Sequence, residues 1–327
     1  MTSESRSDPV LHLEARDIPV PTSLSPQAQA IIAMAPSVKT TYPPVDDVEG
    51  WRAMAAERDA VIVEFVGARA AEVRADVEEV DVDGVRVYVI TPHDLPSDDP
   101  RAYLNVHGGA FVLGGGESCR IMGLHAAGLS RVRTWAVDYR MPPDHRYPTP
   151  LDDCVTAYRA LLENHRPQDI IVGGGSAGGN LAAALILRAR DEGLPLPAAA
   201  VLNTPEVDLT ESGDSFHVNL GLDNVLTESL MPANLLYAGG HDLSHPYLSP
   251  LFADLTAGFP PTILTTGTRD LFLSNTVRMH RALRAAGVPA ELHVLEAGGH
   301  GGFFGQAPED EDLDNEVRRF IDAHWAR

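Results

Sequence analysis

The chain has 327 residues, of which 44% are hydrophobic, enough for one large α/β domain with an appendage and a substantial buried core. Its 46 acidic residues against 25 basic ones leave a formal charge of -21, which repels phosphate backbones and anionic lipid headgroups and so argues against nucleic-acid or membrane-surface binding. Lys39 is the only lysine, which removes Schiff-base and P-loop chemistry, and Cys119 and Cys154 lack the C-x-x-C spacing of a zinc site, so neither a cofactor nor a metal is expected.

The first 50 or so residues are rich in proline and polar side chains. Their charges are scattered, with no apolar run long enough for a signal peptide or a membrane span, and the expected location is cytoplasmic. From residue 77 the pattern alternates. VEEVDVDGVRVYVITP reads as a hairpin with Asp83-Gly84 as its tight turn. Short apolar strands are then predicted at 101–106, 133–138, 169–173, 198–202, 261–266 and 291–295, and helices at 151–164, 177–192, 273–286 and 310–325. Strand and helix taking turns in this way is the pattern of a mostly parallel sheet covered on both faces, a doubly wound α/β fold. The segment from about 205 to 245 brings no strand. With residues 1–50 it is expected to form a cap over a catalytic core of about 51–204 and 246–327.

Strand 169–173 runs into Gly174-Gly175-Ser176-Ala177-Gly178 and then into a helix. A sharp strand-to-helix turn of this kind needs glycines around the serine and leaves its hydroxyl exposed, which marks Ser176 as a nucleophile. A phosphate-binding loop is the competing reading, but no G-K-[ST] follows the glycines. The serine hydroxyl needs a base. Of the seven histidines downstream, His300 alone sits in a glycine-rich loop, Ala297-Gly298-Gly299-His300-Gly301-Gly302, just past the end of a strand. Ligands bind at that edge of an open α/β sheet. Asp270 follows strand 261–266 at the same edge and is the acid expected to orient His300. Asp208, Asp214, Asp223 and Asp242 are weaker candidates because they precede the last two strands. Taken singly, Asp270 reads as a helix N-cap and His300 as a loop histidine; the three together read as a triad. The loop Asn105-Val106-His107-Gly108-Gly109-Ala110-Phe111 offers the N–H groups of Gly108 and Gly109 for a developing oxyanion, with Ala177 N–H completing the hole.

HGGA at 107–110, DYRMPPD at 138–144, GGSAGGN at 174–180 and the GGHGG loop at 298–302 together resemble the hormone-sensitive-lipase-like (family IV) bacterial esterases of the α/β-hydrolase superfamily. The resemblance spans roughly residues 75–325. It implies an α/β-hydrolase core with an eight-stranded sheet, a helical cap, and a serine carboxylesterase that hydrolyses short-chain acyl esters without a cofactor. By motif position it carries Ser176, Asp270, His300, Gly108, Gly109 and Ala177 into their roles. The partner implied is a small-molecule ester, with a homodimer left open. Two departures bear on substrate preference: Gly175 stands where these enzymes usually place an acidic residue, and the residues after Asp270 lack a second acidic pair. A lactone hydrolase is therefore the alternative enzyme, and a non-catalytic small-molecule binding protein is the alternative of another class, against which the presence of His300 argues.

Overall fold

A computed structural model of the chain describes residues 10–12, 14–15, 17–34 and 39–325; the expected cap residues 1–9, 13, 16 and 35–38 lie outside that range. In chain order the elements are α1 (Pro26–Ile32), α2 (Val48–Ala70), β1 (Ala75–Val82), β2 (Val85–Pro92), β3 (Ala102–Val106), α3 (Glu117–Ser130), β4 (Arg133–Asp138), α4 (Thr149–Asn164), β5 (Ile170–Gly175), α5 (Ala177–Asp191), β6 (Ala199–Asn203), α6 (Ser215–Val218), α7 (Met231–Ala238), β7 (Thr262–Gly267), α8 (Leu273–Ala285), β8 (Ala290–Leu295) and α9 (Pro308–His324).

The strands form one eight-stranded sheet in the order β1-β2-β4-β3-β5-β6-β7-β8. Pairing is antiparallel for β1 with β2 and for β2 with β4, and parallel across the rest. The hairpin turns where the sequence predicts. Val82 lies opposite Val85, and Asp83 and Gly84 take φ of 50° and 85°, the left-handed pair that matches the twist of two antiparallel strands.

Strands β3 and β7 are buried along their whole length, and β5 and β6 in all but their last residue, because helices cover both faces, and the pleat sends alternate residues to opposite sides. Leu104, Val172, Leu202 and Leu264 join Leu151, Leu185 and Met279 from α4, α5 and α8 on one face. Tyr103, Ile171, Val201 and Ile263 face the other way and meet Ala126 and Leu129 of α3 and Val317 and Phe320 of α9. Truncating one of these core leucines to alanine costs about 2–5 kcal/mol.

Helix α2 runs unbroken through residue 50, where the sequence alone put the edge of the cap. Near its start Trp51 is fully buried, donates its indole N–H to Pro44 O at 2.9 Å, and packs with Val112, Ala233 and Leu236. The N-terminal segment and α7 therefore meet over the loop that follows β3. At the other end of the site, Ser25 caps α1 and gives its N–H and hydroxyl to Glu309 at 2.6 and 2.8 Å, which ties α1 to α9. Among the described residues no helix is long and apolar enough to cross a membrane.

Candidate active site

The chain leaves β3 for β4 on one side and enters β5 on the other, so the C-terminal ends of these strands open a crevice at the sheet's switch point. The six residues singled out in the sequence all lie along that edge: Gly108 and Gly109 after β3, Ser176 and Ala177 after β5, Asp270 after β7, and His300 after β8.

Ser176 takes φ 57° and ψ -126°, a region that ordinary side chains avoid. The turn holds it there. Its N–H donates to Asn203 O at 2.9 Å, and its carbonyl accepts from Asn180 N and Glu206 N at 3.2 Å each. The close approach at Gly174 and Gly178 makes the turn possible: a Cβ on Gly174 would fall 2.4 Å from Gly178 O, and one on Gly178 2.1 Å from Val106 O.

Asp270 is fully buried and its oxygens are committed. One accepts from Phe272 N at 2.8 Å and pairs with His300 Nδ1 at 3.1 Å, and the other accepts the Thr266 hydroxyl at 2.8 Å. Burial alone would lower the pKa of His300, but the charge and hydrogen bond of Asp270, helped by Asp223, outweigh it and leave the pKa above the ordinary value. An imidazole in that state accepts a proton more readily. The edge of the Phe272 ring meets it at 5.0 Å between centroids.

Gly109 takes φ +119°. Gly108 lies so close to the elbow that a Cβ there would sit 2.9 Å from Gly175 O and 3.3 Å from Ser176 Cβ. The loop is anchored from behind. Tyr139 donates its hydroxyl to His107 O at 2.9 Å and stacks on the His107 ring at 4.0 Å, while His107 Nδ1 lies 2.8 Å from Gly108 O. Ser176, His300 and Gly108 line one cavity of about 370 Å³. Among the described residues, His107, Cys119 and Asp138 are the side chains whose ligand atoms come within 4.8 Å of one another in a manner that could hold a metal; Asp138 is already used by Gly116 N at 3.0 Å and by Arg86 at 3.5 Å.

Two further buried acids serve this site: Asp223, a weaker candidate for the triad acid on sequence, and Glu206, which carries no sequence signal. Asp223 is fully buried, and its carboxylate accepts four main-chain N–H groups: Val225 at 2.8 Å, Leu226 at 3.1 Å, Leu271 at 2.9 Å and His300 at 3.1 Å. It thereby joins the 205–245 insert to both the Asp270 turn and the His300 loop. Burial raises its pKa. Glu206, whose N–H holds Ser176 O, is also fully buried, and burial pushes its carboxyl well above the usual carboxylate range. The local signal for Asp223 is an Asx turn to Val225; its contacts to residues 271 and 300 have no local signature.

A strained serine at the nucleophile turn with an acid–histidine pair at the same strand ends defines a member of the α/β-hydrolase fold class. Residues 103–304 match the family described as having the α/β-hydrolase fold, and the chain belongs to it, within the hormone-sensitive-lipase-like esterases. Similar proteins include an esterase of Acinetobacter venetianus, 34% identical over 58% of this chain and 63% of the relative, and an acetyl-hydrolase of Streptomyces hygroscopicus, 35% identical over 58% of this chain and 64% of the relative. The match thus spans a little under two thirds of either relative's length. Among solved structures, a crystallised esterase superposes with a TM-score of 0.90 at 37% identity, covering 97% of this chain and 99% of its own. An esterase from the bacterial hormone-sensitive lipase family does so with a TM-score of 0.77 at 30% identity, covering 92% and 99%.

Proposed function

We propose that the protein is a serine carboxylesterase in which Ser176 attacks the ester carbonyl, His300 takes its proton and Asp270 holds the imidazole. The N–H groups of Gly108, Gly109 and Ala177 stabilise the oxyanion. As the tetrahedral intermediate collapses, His300 returns the proton to the departing alcohol and an acyl-enzyme is left on Ser176. Water, deprotonated by the same histidine, then releases the acid. The observation that carries this reading is the 3.1 Å pair of His300 Nδ1 with buried Asp270. That bond fixes the tautomer that leaves Nε2 free to act as base, on a histidine that shares a cavity with Ser176.

Short-chain acyl esters are the substrate class in this proposal, in line with the acetyl-hydrolase among the relatives. The cap is proposed as residues 1–50 and 205–245, supported by the packing of Tyr42 and Val45 against the cluster that holds Ala233 and Leu236 of α7. A cytoplasmic location is part of the proposal and accords with two buried cysteines that form no disulfide. A lactone would reach the same acyl-enzyme, and Gly175 beside the nucleophile favours keeping that second reading.

The test is hydrolysis of nitrophenyl esters of increasing acyl length, plus one lactone, by the wild type and by Ser176→Ala. Loss of roughly 10³-fold or more in kcat supports the proposal. A variant as active as the wild type, or a wild type inactive on every ester and lactone, overturns it.

A further inference from the structure

We propose that His107, Cys119 and Asp138 form a binding site for a thiophilic divalent cation such as zinc, set behind the loop that carries Gly108 and Gly109. The inference concerns a second site and stands whether or not the esterase reading holds.

The fold brings the three side chains together from separate points of the chain. Val106 pairs with Val137 in the parallel ladder of β3 and β4, so His107 and Asp138 leave neighbouring strands side by side. Cys119 lies in the first turn of α3, at the far end of the loop that His107 begins. Their ligand atoms lie within 4.8 Å of one another. Tetrahedral zinc with bonds of about 2.0–2.3 Å sets its ligand atoms about 3.3–3.7 Å apart, so side-chain movements of roughly 1 Å complete the site.

The His107 ring is poised as a ligand. It is 2% exposed, and its Nδ1 lies 2.8 Å from Gly108 O, which makes Nδ1 the nitrogen that carries the proton. Nε2 is then a lone-pair acceptor, and it is buried with no hydrogen-bond partner. Burial lowers the pKa of the ring, which keeps that lone pair free at neutral pH. An imidazole that gives one N–H to a main-chain carbonyl and leaves its other nitrogen bare has the arrangement of a metal-binding histidine. Nothing in the hydrolytic mechanism uses Nε2 of His107.

Cys119 is fully buried and forms no disulfide. Burial, with the Asp138 carboxylate nearby, raises its pKa, so it stays a thiol until a cation arrives; its proton then passes to solvent as the metal–sulfur bond forms. Asp138 Oδ1 accepts Gly116 N at 3.0 Å, and Oδ2 lies 3.5 Å from Arg86, whose exposed guanidinium is also 3.6 Å from Glu79. A cation takes Oδ2 while Arg86 keeps Glu79. A surface groove lined by Asp59, Arg86 and Asp138 is the way in, and water from that side supplies the fourth ligand. Asp59 and the chain's charge of -21 favour a cation there.

Cobalt(II) is the probe, because a thiolate bound to it gives a charge-transfer band in the near ultraviolet. The full chain, stripped with a chelator, is titrated with cobalt and then with zinc as competitor. The expected result is a charge-transfer band complete at one equivalent of cobalt and bleached by zinc. The band is lost in Cys119→Ser, and the zinc Kd rises at least about 10-fold in Asp138→Asn. Cys154→Ser, which changes the other cysteine of the chain, retains the band. Cys119→Ala carries the test if Cys119→Ser does not fold. No charge-transfer band in the wild type, a band that survives loss of the Cys119 thiol, or a zinc Kd unchanged in Asp138→Asn overturns the inference.

Discussion

Replacing Asp223 by asparagine probes the arrangement through a residue that does not touch the reacting atoms. One Asp223 oxygen serves Val225 and Leu226, and the other serves Leu271 and His300. An asparagine retains one acceptor oxygen and turns its amide towards the other pair of N–H groups. Two buried bonds are lost whichever way it rotates. With each unsatisfied buried donor costing about 1–3 kcal/mol, Asp223→Asn loses roughly 2–6 kcal/mol of stability. The substitution also removes a negative charge that helps His300 keep its proton, so the pKa of His300 falls. Because the neutral imidazole is the working base, the acid limb of kcat/KM shifts to lower pH. On the alkaline plateau kcat/KM drops by about 10- to 100-fold as the His300 loop loses its anchor. Urea unfolding monitored with an unchanged m-value and a pH profile of kcat/KM read these effects separately. A variant within about 0.5 kcal/mol of the wild type with the same acid limb would refute the role given to Asp223.

In the wild type, the raised pKa of His300 places the midpoint of the acid limb above the ordinary histidine value of about 6.5, and a plateau persisting well below that pH in kcat/KM would contradict the Asp270 pairing. Glu206→Gln is expected to unfold within about 1 kcal/mol of the wild type, because burial raises the pKa of this carboxyl and so disfavours the charge that glutamine lacks, whereas Glu206→Ala costs about 2–4 kcal/mol in urea titrations. Tyr139→Phe keeps the stack on His107 but loses the bond to His107 O; thermal unfolding should register a loss of about 1 kcal/mol with a severalfold fall in kcat.

The inner parallel strands are legible because burial on both faces gives short runs rich in apolar residues, as in AYLNV of β3 and AAVLN of β6, and β4 falls at the predicted 133–138. Ser176 is legible because the elbow demands small residues over a short stretch, and His300 because a loop that carries a side chain over a strand end needs glycines around it. Helix α2 was hidden for a physical reason: Trp51 and Ala70 are its buried described side chains while Val61 is exposed, so no clean helical stripe marks it. The role of Asp223 is not legible because it lies in reaching Leu271 and His300, far along the chain, and the four aspartates of one insert cannot be ranked by local pattern. Glu206 lies in TPEVDL after β6, where nothing distinguishes a buried acid from an exposed one.

The most direct test of the central claim is mass spectrometry of the protein quenched during turnover of a slowly deacylating ester. The account predicts a mass increase of one acyl group, mapped by peptide analysis to Ser176, absent in Ser176→Ala and longer-lived in His300→Ala once that variant has been acylated with an activated ester. Turnover with no acyl adduct at any time, or an adduct on another residue with Ser176→Ala still active, would contradict it.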